Sequence, residues 1–86
     1  MPVQITLRES VMGQGYVVQF NNTSNKYLKI RVFYKDRTLR KSKKSLLELP
    51  PLGMTEKGWL QGWKFASGET ITLLHEDYQT MFYKIP

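Results

Sequence analysis

The apolar residues of this chain alternate with polar ones, and this alternation constrains the fold more than any other feature. No window of eleven residues keeps a helical period without a glycine or proline inside it. The clearest alternating run covers residues 28–34, in which every second side chain is apolar or aromatic: Leu28, Ile30, Val32 and Tyr34. Because side chains along a strand point to opposite faces in turn, this run predicts a central strand with one buried face.

Turn signals divide the chain into about seven such strands. The predicted strands lie at residues 3–8, 16–20, 28–34, 45–49, 54–60 with 63–65, 70–74 and 78–85. The first two predicted turns lie at residues 10–15 and 21–25. Short strands with turns every eight to twelve residues or so predict an all-β fold, here a small antiparallel β-sandwich of immunoglobulin-like type. The alternative is a small barrel of the SH3 or oligonucleotide-binding kind, in which Gly58 and Gly62 would bend the strands.

Size and composition limit the chemistry that the chain can carry. The 86 residues predict one domain over 1–86, and a chain this short has little room for a deep cleft. Cysteine is absent and His75 is the only histidine, which excludes disulfides, thiolate metal sites and multi-histidine clusters. We therefore expect no metal and no cofactor. Apolar stretches are too short to span a membrane, and the start lacks the features of a signal peptide, which favours the cytoplasm.

Positive charge is concentrated in one segment. The chain carries a net charge of +6, and residues 35–44, with six basic residues and one acidic residue, supply +5 of it. We expect this segment to form the exposed end of a hairpin, or an edge strand, and to offer these partner contacts: Lys35, Arg37, Leu39, Arg40, Lys41, Lys43 and Lys44. Three interpretations stay open: lysines that prevent edge pairing, a site for an acidic protein partner, or phosphate binding on a nucleic acid.

Aromatic residues recur in the segment 58–65. On an extended chain, Trp59, Trp63 and Phe65 share a face, because side chains alternate with period two. Such a face predicts a stacking platform for a partner. The alternative is that one tryptophan fills the space between two sheets and the flanking glycines form a bulge, which would shift the register.

Two further motifs predict turns rather than chemistry. His75, Glu76 and Asp77 are adjacent, and adjacent side chains rarely face one another as an acid–base pair must. We therefore predict no catalytic residue. The segment 21–24 contains two overlapping Asn-x-Ser/Thr sequons, but asparagine and serine also favour turns, and we interpret it as a turn.

The run Val18–Ser24, followed by Tyr27–Asp36, resembles bacterial immunoglobulin-like domains of the FxLYD type. In those domains an asparagine-containing turn leads into a long strand that ends in an aromatic and aspartate pair, and a proline–glycine turn follows the next strand. The similarity covers residues 16–57, although the motif leucine is missing here. The resemblance implies an immunoglobulin-like fold and a binding or structural module of the cell envelope without catalytic residues.

These observations predict a non-catalytic protein-interaction module of the accessory, adaptor or inhibitor type. It would bind a macromolecular partner, an acidic protein among the candidates, through the basic segment and the aromatic face. The alternative is a small barrel that binds single-stranded nucleic acid. Pairing of exposed strand edges adds a third expectation, a homodimer.

Overall fold

The computed structural model describes residues 1–11 and 15–86, and for Trp59 the backbone alone. The elements follow in chain order: β1 (Val3–Glu9), β2 (Tyr16–Asn22), β3 (Leu28–Lys35), β4 (Ser42–Leu49), β5 (Met54–Lys57), a 3-10 helix (Trp59–Gln61), β6 (Thr70–His75) and β7 (Tyr78–Lys84). The predicted turn at 10–15 includes residues 12–14, which lie outside the described residues.

The strands form two antiparallel sheets, ordered β1-β2-β5 and β4-β3-β6-β7. The fold is therefore the predicted all-β sandwich, and two separate hydrogen-bonded sheets replace the single closed sheet of the barrel alternative. In constant-type immunoglobulin domains the fourth strand lies in the sheet of the first two strands. Here the fourth strand pairs with β3, which widens that sheet to four strands and makes β3 central, as the alternation predicted.

The hydrophobic core lies between the two sheets. Its buried members come from the inward faces of both sheets, from the segment after the 3-10 helix and from the residue that follows β7: Val3, Val18, Phe20, Leu28, Ile30, Val32, Tyr34, Leu47, Leu49, Phe65, Ile71, Leu73 and Ile85. On β3 every second residue from Leu28 to Tyr34 is buried. Burial of one strand face leaves the opposite face free for solvent or a partner.

Two predicted strand boundaries are wrong, and both errors change the candidate site. β4 begins at Ser42 rather than Ser45, so Lys43 and Lys44 belong to an edge strand, which was one of the two expectations for the basic segment. The predicted piece 54–60 is too long, because β5 ends at Lys57 and the chain then turns through the 3-10 helix, and the piece 63–65 contributes a single bridge from Phe65 to Tyr16. The side chains of the segment 58–65 therefore cannot share one face by simple alternation.

Asn22 connects the ends of the two sheets. Its buried side-chain amide donates to the carbonyl oxygens of Lys26, Leu49 and Pro50, and its Oδ1 accepts from the backbone N–H and the hydroxyl of Ser24. Asn22 ends β2, so the predicted turn at 21–25 begins two residues later than expected. Every polar atom of this amide is satisfied inside the fold, as a buried amide requires.

Candidate interaction surface

The solvent-facing side of the four-stranded sheet aligns residues from all four strands in one row. Phe33 lies opposite Lys44 on one side and Thr72 on the other, and Thr72 lies opposite Phe82. The Lys44 ammonium lies 5.9 Å from the centre of the Phe33 ring, within the range of a cation–π contact. Phe82 is 76% exposed, so this row presents an aromatic ring directly to solvent.

The neighbouring rows on the same side carry the charge. Arg31 lies between Leu46 of β4, which is 57% exposed, and Leu74 of β6. The term cationic face refers below to these side chains: Lys29, Arg31, Phe33, Lys35, Lys44, Leu46, Glu48, Phe82 and Lys84. It holds five cations and one carboxylate, a net charge of +4. Its carboxylate, and Glu76 of the β6–β7 turn, lie near Lys29, so the opposite end is the more positive one.

The more positive end continues into the basic hairpin, which is the loop of residues 36–41 between β3 and β4. Asp36, the acidic residue of this segment, organises the loop. Its Oδ1 accepts from the backbone N–H groups of Arg40 and Lys41 at 2.8 and 3.2 Å, and its Oδ2 accepts from the Thr38 hydroxyl at 3.0 Å. These bonds hold the pKa of Asp36 below its ordinary value, and the bond from the Lys41 N–H has the largest effect. The hairpin is therefore ordered from within, and its basic side chains point to solvent.

The tip of the basic hairpin is Leu39, which is 68% exposed and has a φ of 61°. A branched residue in this left-handed region is uncommon, and the bonds to Asp36 hold it there. Arg37 packs its aliphatic stem against the 66–69 loop, where a Cβ on Gly68 would lie 2.9 Å from its Cδ. Arg40 and Lys41 are exposed on the other side of the tip.

Lys43 differs from the other basic candidates. It lies on the inner side of β4 and is half-buried, and its ammonium donates to the backbone carbonyl of Gln61 at 2.7 Å. This bond connects β4 to the end of the 3-10 helix. The bond uses one of the three donors of the ammonium, so Lys43 has a structural role, and its role as a partner contact stays a prediction.

The predicted aromatic face does not form. Phe65 is fully buried, so its prediction as a partner contact is wrong. Trp63 is half-buried and packs its ring 6.3 Å from Phe65 and 5.9 Å from Tyr34, between centroids. The interpretation in which one tryptophan fills space at the edge of the core therefore fits Trp63. The side chain of Trp59 lies outside the described residues.

Glu69 fixes this aromatic cluster from the loop side. One oxygen of its buried carboxylate accepts both the indole N–H of Trp63, at 3.0 Å, and the backbone N–H of Ala66, at 2.9 Å. Glu69 was not predicted, because the loop sequence Ala-Ser-Gly-Glu indicates only a turn. Its role depends on a tryptophan six residues earlier in the chain.

On the outer face of the three-stranded sheet the polar side chains bond to one another. Arg8 and Glu56 form an ion pair at 2.6 Å, and Glu56 also accepts from Gln19. Gln19 in turn accepts from Thr6, whose hydroxyl accepts from Asn21. These opposite charges cancel, so the strong positive potential of the molecule belongs to the cationic face and the basic hairpin.

Comparison of the chain with models of protein families, with curated proteins and with solved structures finds no match. The resemblance to FxLYD domains therefore stays a prediction. The surface has to be interpreted from its own geometry.

The polar turn at 75–77 is a local structure. The backbone N–H of Asp77 donates to Nδ1 of His75 at 3.1 Å, and the imidazole packs against the ring of Tyr78. In the described part of the chain, no three residues of the histidine, aspartate and glutamate types gather in a way that would hold a metal ion. Within the same residues, no helix is long and apolar enough to cross a membrane.

Several members of the cationic face were not among the contact residues predicted from the sequence. The alternation along residues 28–34 does place Lys29 and Arg31 away from the core, which could have identified them. Phe82 and Lys84 are distant in sequence, and only the pairing of β6 with both β3 and β7 brings them to the same face. The pattern of one strand cannot specify its neighbours.

Proposed function

We propose that this protein is a non-catalytic binding module whose partner is an acidic protein, engaged by the cationic face together with the basic hairpin. The observation that carries the proposal is the difference between the two outer faces of the sandwich. One holds a net charge of +4 beside exposed Phe82 and Leu46, whereas on the other Arg8 and Glu56 neutralise each other. An apolar patch surrounded by cations is complementary to an acidic protein surface with an apolar centre.

Poly-L-glutamate labelled with a fluorophore provides a first probe. We expect Lys41→Glu combined with Lys44→Glu to weaken its binding at least about tenfold, because both cations lie at the more positive end. The control combines Lys26→Glu with Lys64→Glu, which changes the net charge equally at exposed positions that belong to neither the cationic face nor the basic hairpin. Equal losses in the two variants would show attraction by net charge alone and would contradict the proposal.

A second candidate function, binding of single-stranded nucleic acid, is favoured by one observation. Phe33 and Phe82 occupy the same cross-strand row with Lys44, on the open face of a four-stranded sheet. Aromatic side chains on such a face stack with bases while nearby cations bind phosphates.

The two candidates differ in the role of Phe82. If bases stack on this ring, Phe82→Ala weakens binding of oligothymidylate by about 5- to 150-fold, the range that corresponds to about 1–3 kcal/mol per stacked base. Leu60→Ala, at an equally exposed apolar residue of the 3-10 helix, serves as the control. Absence of oligothymidylate binding at low salt would exclude the nucleic-acid function and leave the protein partner.

A further inference from the structure

β4 is an edge strand whose open side has unpaired backbone groups. The backbone N–H of Asp36 donates to the carbonyl of Lys41, so these two residues form a hydrogen-bonded pair. Because hydrogen-bonded and non-hydrogen-bonded pairs alternate along an antiparallel ladder, the odd-numbered residues of β4 direct their backbone N–H and C=O groups towards β3. Those of its even-numbered residues point outwards. Within residues 1–11 and 15–86, the N–H and C=O groups of Ser42, Lys44 and Leu46 have no hydrogen-bond partner.

The far end of the same edge is closed. The outward carbonyl of Glu48 accepts from the hydroxyl of Thr55 at 3.1 Å, and β5 covers β4 at that point. The open part is therefore limited to residues 42–46. An exposed edge of this length can pair with about five residues of another chain.

A small pocket lies beside the open part, where the two sheets separate. It is lined on the inner side of β4 by Lys43 and Ser45, and across from them by Lys57, Gln61 and Trp63. Any strand added to β4 would direct every second side chain towards this pocket and the alternate ones beside Lys44 and Leu46. Lysines therefore meet the added strand on both of its faces.

Deepening the proposed function, on which this inference rests, we propose that the acidic partner binds as an extended segment that adds a fifth strand antiparallel to β4. Charge complementarity defines its residues: a carboxylate opposite Lys44, an apolar side chain opposite Leu46, and small or acidic side chains towards the pocket with Lys43 and Lys57. The exchanged backbone hydrogen bonds provide affinity, and the lysines select the sequence.

A second copy of the chain fits this edge poorly. A symmetric pairing centred on Lys44 places two like charges directly opposite each other, which is destabilising. A pairing centred on Leu46 would match Lys44 with Glu48, but Thr55 already occupies the Glu48 carbonyl. A pairing centred on Ser45 would place Lys44 opposite Leu46 in both copies and leave each ammonium without a carboxylate, so a second copy lacks the charge complementarity of an acidic segment, and the homodimer expected from the sequence stays a prediction.

The probe that tests the inference is the peptide acetyl-Thr-Leu-Glu-Glu-Asp-Thr-amide, designed with leucine opposite Leu46 and its second glutamate opposite Lys44. Methylation of the backbone nitrogen of that second glutamate removes a bond to β4, so we expect affinity to fall at least about tenfold. Methylation of the first glutamate, whose N–H points away from β4, should leave affinity within about twofold. Both measurements use the unaltered protein, so neither depends on the folding of a variant.

Amide chemical shifts locate the peptide on the protein. We expect the largest changes at Ser42, Lys44 and Leu46, with little change at Thr80 and Phe82 on the β7 edge. Equal affinity of the two methylated peptides, changes confined to β7, or a dimer of the free protein that pairs through β4 would each overturn the inference. If any of these results is found but polyglutamate still binds the Lys41/Lys44 variant more weakly than the Lys26/Lys64 control, the proposed function stands without the inference. If the two variants bind polyglutamate equally, the proposed function and the inference both fail.

Discussion

The indole N–H of Trp63 donates to Oε1 of Glu69, and the same oxygen accepts the backbone N–H of Ala66. This carboxylate orders the loop that precedes β6 and keeps the tryptophan ring beside Tyr34 and Phe65. The half-buried indole is thereby fixed at the edge of the core.

Glu69→Ala is expected to destabilise the protein by about 1–3 kcal/mol, because it leaves two partly buried donors without an acceptor. Glu69→Gln retains the Oε1 acceptor and should lose clearly less. Urea unfolding followed by tryptophan fluorescence measures both values. Equal losses in the two variants would show that the acceptor does not matter.

Asn22→Asp is expected to lower the free energy of unfolding by about 3 kcal/mol, because a buried carboxylate would face three carbonyl oxygens and could donate to none of them. The matched control is Asn25→Asp in the adjoining turn, where the side chain is exposed and the effect should stay within about 0.5 kcal/mol. Thermal or urea unfolding of both variants tests this prediction. A similar loss at the two positions would refute the role of Asn22 as the connection between the sheets.

The order of the basic hairpin should depend on pH through Asp36. The folded-state pKa of this group is lowered, so its stabilising contribution is present above the pKa of the unfolded chain and is lost as pH falls through the folded pKa. Amide resonances of Arg40 and Lys41 should move over this acidic range in the unaltered protein. In Asp36→Asn the acceptor remains but does not titrate, and the same movement in that variant would contradict the prediction.

Strand β3 illustrates what a sequence can predict. Its alternation over residues 28–34 is a local property, because each side chain reaches the core or solvent according to its own position on the pleat. The alternation therefore gave the correct buried face and the central placement. The turn after β4 could also be predicted from the sequence, since Pro50 and Pro51 cannot donate hydrogen bonds to a sheet and Gly53 lies just after them.

The segment 58–65 illustrates what the sequence could not predict. Its 3-10 turn is held by the Gln61 side chain, which accepts from the backbone N–H of Gly58, and by Lys43, which donates to the Gln61 carbonyl from a strand eighteen residues earlier. The bond from Lys43 comes from a distant part of the chain, so the local sequence alone does not specify the turn. For the same reason the bond from Lys43 to Gln61 could not be predicted from the sequence.

Tyr34→Phe is expected to destabilise the protein by about 0.5–1.5 kcal/mol at neutral pH, because the hydroxyl of this buried ring lies 3.1 Å from Oγ of Ser45. Burial raises the pKa of Tyr34 above its ordinary value. The stabilising contribution that follows is fully present below the pKa of an unfolded tyrosine, about 10, and is lost as pH rises towards the folded pKa.

The Tyr34→Phe variant should therefore lose less free energy of unfolding than the unaltered protein when the pH is raised from neutral to about 11. Urea unfolding at both pH values measures the difference, and the remaining four tyrosines are common to the two proteins. An identical decrease in both would show that Tyr34 makes no contribution to the alkaline transition.

The contrast between the two outer faces also affects motion before contact. A molecule charged on one side has an asymmetric electrostatic field, and near a polyanion it experiences a torque that turns its cationic face towards the polyanion. Encounters would then begin already oriented, and association would slow as added salt shortens the distance over which that torque acts.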